Sequence, residues 1–435
     1  VTGLGWPAIV RLGLVQSAIG AIVVLMTSTL NRIMVVEYGL AATVPAGFVA
    51  WHYAVQMSRA RWGHGSDRGA RRTPWIVGGM AVLGVGAVLA TVATTRLAGS
   101  PAFGIALAVI AFALIGVGVG AAGTSLLALL ASRVAPARRA AAAAITWIMM
   151  IVGFIVTTGI AGKLLDPFSP ERLLAVVTGV VVIAFVVSVI GIVGIERRDA
   201  QPAASRPAIA FTAALAEIWA DPKARRFTVF VAVSMVGYSA QELILEPFAG
   251  LLFGYTPGQS TSLAALQHGG ALLGMIVAGV AGNAFTGRAG WMRNWTIGGC
   301  IGSAAALGAV ALAATAGPNW PLRPTVFVLG LANGVFAVAA IGSMMGLAGG
   351  GGPGREGVRM GVWGAAQAIA FAVGGFVGAA GVDVGRRMFG STPDAFVAVF
   401  SAEAVVFLLA AVLAARIDVT GPARTPRLNP LLVEG

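Results

Sequence analysis

The chain has 435 residues, of which 58% are hydrophobic and only 10% charged, with a mean hydropathy of +0.89. A soluble domain carries about 25% charged residues, so this composition excludes a water-soluble fold and points to the bilayer, where a spanning helix needs roughly 20 apolar residues. The net charge of +13 falls between apolar runs, so it is read as membrane topology rather than nucleic-acid binding.

In chain order the apolar runs predict twelve spans, at 12–36, 42–58, 75–95, 102–132, 140–162, 172–196, 226–253, 260–286, 294–316, 324–348, 358–382 and 395–416. The first run is too long for a signal peptide and lacks its cleavage pattern. The 61 glycines suit membrane helices, whose backbones pack closely. Residues 197–225, rich in Ala, Pro and Arg, form the longest polar stretch. They predict a cytoplasmic linker between an N-terminal half (1–196) and a C-terminal half with its tail (226–435). Within the linker, Phe211, Leu215, Ile218 and Trp219 share one helical face, which fits a short helix on the membrane surface or one packed on protein. Of the 29 Lys and Arg residues, twenty-two fall on the side that carries both termini, six on the other, and Arg32 inside a span. The positive-inside rule then places both termini on the cytoplasmic side of an inner membrane.

The halves resemble each other weakly. At an offset of 216, His52 aligns with His268, Gly63 with Gly279, Asp67 with Asn283 and Arg72 with Arg288; at 210, Asn31-Arg32 aligns with Gln241-Glu242. The loop after the second span runs Gly63-His-Gly-Ser-Asp67-Arg68-Gly69-Ala70-Arg71-Arg72. It resembles the cytoplasmic loop signature of the major facilitators, with Ala70 where that signature has Gly. Gly63 would allow close helix approach, Asp67 would sit near a helix N-terminus, and Arg68, Arg71 and Arg72 would pair with carboxylates or lipid phosphates. The motif is either a latch between the halves or a basic loop serving topology. The predicted fold is all-α and polytopic, of major-facilitator type, with twelve helices in two pseudo-symmetric six-helix halves.

Charged groups inside spans are costly and mark function. Span one closes on Asn31-Arg32 with Glu37 beyond it, and span seven carries Gln241-Glu242 and Glu246. Equivalent and oppositely charged, Arg32 and Glu242 suit an ion pair between the halves; the alternative is that the cluster contacts polar parts of a ligand. His52 and His268 are either hydrogen-bonded in helix interfaces or axial ligands for a magnesium-centred pigment. Glu403, inside span twelve, has no evident partner and could face lipid or a partner helix. Gln16, Asn333 and Gln367 are the polar candidates for a cavity. Spans three, four, five, nine and ten have no ionisable interior residue, which argues for a large apolar ligand or none transported. No nucleotide loop, metal cluster or nucleophile motif is present, so no enzymatic role is read.

Several segments resemble the PucC/LhaA family, the bacteriochlorophyll delivery branch of the major facilitators. They are Leu14-Val-Gln16 through Asn31-Arg32 and Glu37, Gly63-His-Gly-Ser-Asp67, Trp219-Ala-Asp-Pro222-Lys-Ala-Arg225-Arg226-Phe227, and Tyr238-Ser-Ala-Gln241-Glu242-Leu-Ile-Leu-Glu246-Pro247-Phe-Ala-Gly250. The resemblance implies an assembly factor for light-harvesting antenna that binds or delivers bacteriochlorophyll, transiently, in a phototrophic bacterium. Its implied partners are membrane lipids, antenna polypeptides and pigment-synthesis enzymes; it leaves carotenoid binding open. His52 and His268 are not features of that family pattern. The other reading is a secondary transporter exporting a hydrophobic compound by alternating access.

Overall fold

A computed structural model describes residues 4–57, 71–135, 138–196, 216, 219–284, 291–349 and 356–416. Every long element among them is helical. In the first half these are α1 (Trp6–Val36), α2 (Thr43–Gln56), α3 (Thr73–Arg96), α4 (Pro101–Arg133), α5 (Arg139–Leu164) and α6 (Pro170–Ile192). In the second they are α7 (Pro222–Phe253), α8 (Pro257–Ala284), α9 (Trp291–Ala316), α10 (Leu322–Gly349), α11 (Glu356–Phe389) and α12 (Thr392–Ala415). Ten of the twelve are long and apolar enough, over the described residues, to cross a membrane. The chain is a multi-pass membrane protein, and the twelve predicted spans are the twelve helices.

Local chemistry sets the helix ends. α7 starts at Pro222, four residues earlier than the sequence boundary at 226. Proline suits the first helical position, and the Asp221 side chain accepts from Lys223 N at 3.0 Å as an N-cap. At its far end Gly254 takes φ +65°, the left-handed conformation that glycine accepts without a Cβ penalty, and turns the chain into α8. α1 is interrupted by a π-helical turn, Leu25–Thr29, just before Asn31 and Arg32.

Packing repeats from half to half. In the first half α1 packs on α5 and α6, α3 on α4 and α6, and α2 on α4. The pairs α7 on α11 and α12, α9 on α10 and α12, and α8 on α10 reproduce this with six added to each number. The halves meet where α5 packs on α8 and α2 on α11. At the α5–α8 crossing a Cβ on Gly162 would lie 2.7 Å from Gly258 O and 2.9 Å from Ser262 N, so only glycine permits this approach. Buried residues run along both bundles, while Val182, Ile183, Ile190, Leu409 and Val412 point outward toward lipid.

Candidate functional site

The polar residues of α1 and α7 meet in the seam between the halves, toward the end opposite the termini. Buried Asn31 donates from Nδ2 to Leu243 O at 2.6 Å. Arg32, almost wholly buried, forms an ion pair with Glu37 and donates from Nη2 to Tyr255 O at 2.6 Å. The expected Arg32–Glu242 pair is therefore not what the structure holds. Glu37 follows Arg32 by little more than one helical turn and stands at the rim, 32% exposed, so it neutralises the arginine with less desolvation than a mid-bundle carboxylate would suffer. Glu242 instead accepts from the Tyr238 hydroxyl one turn back on α7. Glu246 accepts from Ser28 Oγ and lies in the field of Arg32.

The seam carries further links. Thr29 and Thr261 hydroxyls stand 3.1 Å apart. Thr256 Oγ1 donates to Asp166 Oδ2 at 2.9 Å. On the other flank the Asp383 carboxylate of α11 accepts from Ala42 N at 3.0 Å and Thr43 N at 2.8 Å, capping α2 from the opposite half. All these links cluster toward one end of the bundle and clasp the halves there. Deeper in the seam, the Phe371 ring lies 5.8 Å from both Tyr53 of α2 and Tyr238 of α7. Several buried polar atoms are left without a hydrogen-bond partner: Arg32 Nε, Glu246 Oε2, Gln16 Oε1 and both amide atoms of Gln241, which is 0% exposed. Such orphans cost free energy in an apolar interior.

The remaining sequence candidates separate. His52 is buried with its Nε2 2.6 Å from Gln56 Nε2, a contact within α2. His268 packs across the seam, its ring 5.0 Å from that of Phe154 on α5. Half-buried Gln16 donates weakly to Met150 Sδ at 3.2 Å. Asn333 is buried within the second half, where its Oδ1 accepts from Ser303 Oγ at 2.8 Å and its Nδ2 has no partner. Gln367 is half-buried on α11. Glu403 faces neither lipid nor a free surface; it is 4% exposed inside the second half, both carboxylate oxygens without partners. Of the loop motif, Gly63, Asp67 and Arg68 lie outside the described residues, as do Phe211, Leu215 and Ile218 of the linker. Arg71 is exposed. Arg72 works inside the first half, donating from Nη1 to Ala128 O and, at 2.6 Å, to Ser132 Oγ.

Sequence reading missed Ser28, Thr29, Thr261, Asp166, Thr256 and Asp383. Hydroxyls next to Asn31-Arg32 were a usable signal; the Asp383 cap was not, because its partners are backbone N–H groups of a distant helix. It also missed Glu196, beyond α6, which accepts from Arg72 N (2.8 and 2.9 Å), Thr73 N (2.9 Å) and Thr73 Oγ1 (2.8 Å). Burial pushes this carboxyl up, but the bonds from Arg72 and Thr73 and the charge of Arg133 outweigh it, and the group is held below its ordinary range. At the opposite end, burial and then the charges of Glu37 and Glu171 push the Tyr38 hydroxyl up.

Two six-helix bundles with matching internal packing, joined by a polar seam, define a membrane protein of major-facilitator type. A solved structure of the nucleoside transporter NupG, in a mutant form, shares this fold with a TM-score of 0.69 at 14% identity, covering 94% of this chain and 99% of that one. The chain belongs to the PUCC protein family, whose model matches residues 29–421. It is 50% identical to the "Bacteriochlorophyll synthase 44.5 kDa chain" of Rhodobacter capsulatus over 97% of this chain and 98% of that one. It is 28% identical to "Protein PucC" of Cereibacter sphaeroides over 91% and 88%.

Proposed function

We propose that this protein handles bacteriochlorophyll during assembly of light-harvesting antenna, receiving the pigment in the seam between its halves and passing it to antenna polypeptides in the membrane. The observation that carries this reading is the near full-length likeness to a relative named for bacteriochlorophyll, on a chain whose seam is clasped by polar links at one end and also holds orphaned polar atoms. Those atoms fit the cargo: Gln241 and Arg32 Nε can donate to carbonyls on the rim of a macrocycle, while the surrounding Leu, Phe and Ala accept its faces. Gly-rich helix surfaces suit a flat ring or a single-span partner helix. The cluster Asn31, Arg32, Glu37, Gln241, Glu242 and Glu246 sets the spacing of the halves and holds polar substituents. With both termini and the Asp67 loop in the cytoplasm, the clasped end faces outward, so pigment enters from the cytoplasmic side or laterally from the bilayer, where synthesis enzymes are the donors. No catalytic step is assigned to the chain.

The test is an absorption spectrum of the protein purified in mild detergent from a phototrophic host. Near-stoichiometric near-infrared bands, with antenna polypeptides co-purifying, are expected. The fold shared with NupG favours a second reading, export of a hydrophobic compound. A colourless, monodisperse protein that retains no antenna polypeptide would displace the first reading in favour of the second.

A further inference from the structure

The two intramembrane histidines, symmetric in sequence, are not equivalent in space. The His52 ring is engaged by Gln56 within its own helix, Nε2 to Nε2 at 2.6 Å. His268 is 7% exposed, and among the described residues no hydrogen bond reaches its ring nitrogens; its partner is the Phe154 ring, 5.0 Å away at 51°. With its ring largely buried and neither its N–H nor its lone pair hydrogen-bonded, this imidazole is open to a group that would use one of them. A neutral imidazole lone pair is a ready metal ligand.

Its surroundings narrow the ligand. Near the clasped end α5 and α8 touch backbone to backbone at Gly162, Gly258 and Ser262; at His268 large side chains separate them instead. Phe154 lies against α1, where a Cβ on Gly20 would come within 2.8 Å of its ring. One turn back on α5, about 6 Å of rise, Met150 receives the Gln16 amide at 3.2 Å, while Gln16 Oε1 has no partner. A thioether is a weak acceptor, so this amide can turn to donate to a better one. A metal-ligating imidazole and a carbonyl-binding amide therefore flank one turn of α5, beside an aromatic face. No carboxylate or thiolate accompanies them to make a conventional protein metal site: among the described residues no group of three or more His, Cys, Asp or Glu could hold an ion.

We propose that His268 is the axial ligand of the magnesium in a tetrapyrrole bound in the seam, with Gln16 donating to a carbonyl on its rim. This rests on the pigment-handling reading above and assigns it a residue. The role is not assigned to His52, whose Nε2 is engaged by Gln56.

The experiment uses full-length protein purified with its pigment, and equally protein mixed with bacteriochlorophyll in detergent. Magnesium coordination is read from the Qx absorption band and resonance Raman spectrum, and folding from monodispersity. Wild type is expected to show five-coordinate magnesium with a nitrogen ligand. His268→Gly should lower the pigment-to-protein ratio by about tenfold, and added imidazole should restore it. Should His268→Gly fail to fold, the double variant His52→Ala, His64→Ala decides. The chain has three histidines, so in that variant only His268 can ligate, and unchanged spectra are expected. Pigment bound with wild-type spectra in folded His268→Gly, or a histidine-ligation signature lost from the double variant, overturns the assignment and leaves the pigment reading standing. Wild type that takes up no pigment by either route overturns both.

Discussion

Glu196→Ala should destabilise the protein by about 2 kcal/mol. The carboxylate caps α3 from beyond α6, taking the backbone N–H groups of Arg72 and Thr73 and the Thr73 hydroxyl at 2.8–2.9 Å. Loss of a helix cap costs about 0.5–2 kcal/mol, and N–H groups left without their charged acceptor add about 1 kcal/mol after partial compensation by water. Glu196→Gln keeps an acceptor oxygen but not the charge, so about half the effect remains. The carboxyl is held below its ordinary value of 4.5 in the fold. Its stabilisation is therefore complete above the unfolded range and is lost as pH falls through the lowered value. Melting of detergent-purified protein, followed by tryptophan fluorescence and monodispersity from about pH 7 to about pH 3, reads both effects. Wild type should melt above Glu196→Gln at neutral pH, and the two curves should converge in acid. An unchanged melting temperature for Glu196→Ala at neutral pH, or a gap that widens on acidification, would refute the capping role.

Arg32→Gln should cost about 3 kcal/mol, because it strips a buried ion pair and the Tyr255 link together; Glu37→Gln should cost less, since Glu37 is at the rim. The charge swap Arg32→Glu with Glu242→Arg should melt no higher than the single variants, because Glu242 is not the partner of Arg32; rescue by the swap would show that it is. Gly162→Leu should lower melting sharply and reduce yield by forcing α5 off α8, whereas the same change at Gly179, where a Cβ meets nothing within 4 Å, should be neutral. Glu403→Leu should leave stability unchanged or raise it by about 1–3 kcal/mol, since it replaces a carboxyl with two unpartnered oxygens by apolar volume; a fall of that size would reveal a partner for Glu403.

Helix number and order were legible in the sequence because the bilayer imposes a length and a polarity on every element; span limits were legible only to several residues, since α1 begins at Trp6 rather than 12 and α11 runs to Phe389 rather than 382. The beginning of α7 was misplaced by four residues, since Lys223 and Arg225 read as linker although Asp221 and Pro222 had already started the helix. Asn31, Arg32, Gln241, Glu242 and Glu246 were legible as costly groups in a span, and of these the structure links Asn31, Arg32 and Glu246 across α1 and α7. Their pairing was not, because offsets between halves fix which turns face each other but not which side chain reaches which. The Arg32–Glu37 pair is local, and an equivalence argument across halves passes over it. Asn333 and Glu403 show the opposite limit: polarity in a span marks importance, yet cannot tell a seam between bundles from the inside of one bundle.

The π-helical turn at Leu25–Thr29 carries one residue more than an α-helical path of the same height. Each residue advances an α-helix by about 100°, so everything after the turn is set out of phase with the helix before it by that angle. Asn31 and Arg32 thus owe their bearing to a single extra residue upstream rather than to their own position in the sequence. Drawn as an unbroken α-helix of the same residue count, the span would carry both polar groups round by that angle, whereas deleting one residue and closing the turn would leave their bearing as it is; Ser28 and Thr29, within the turn, themselves touch the seam. The geometry of the polar cluster is in this sense written as a count: the wide turn and the extra residue have to be kept or lost together.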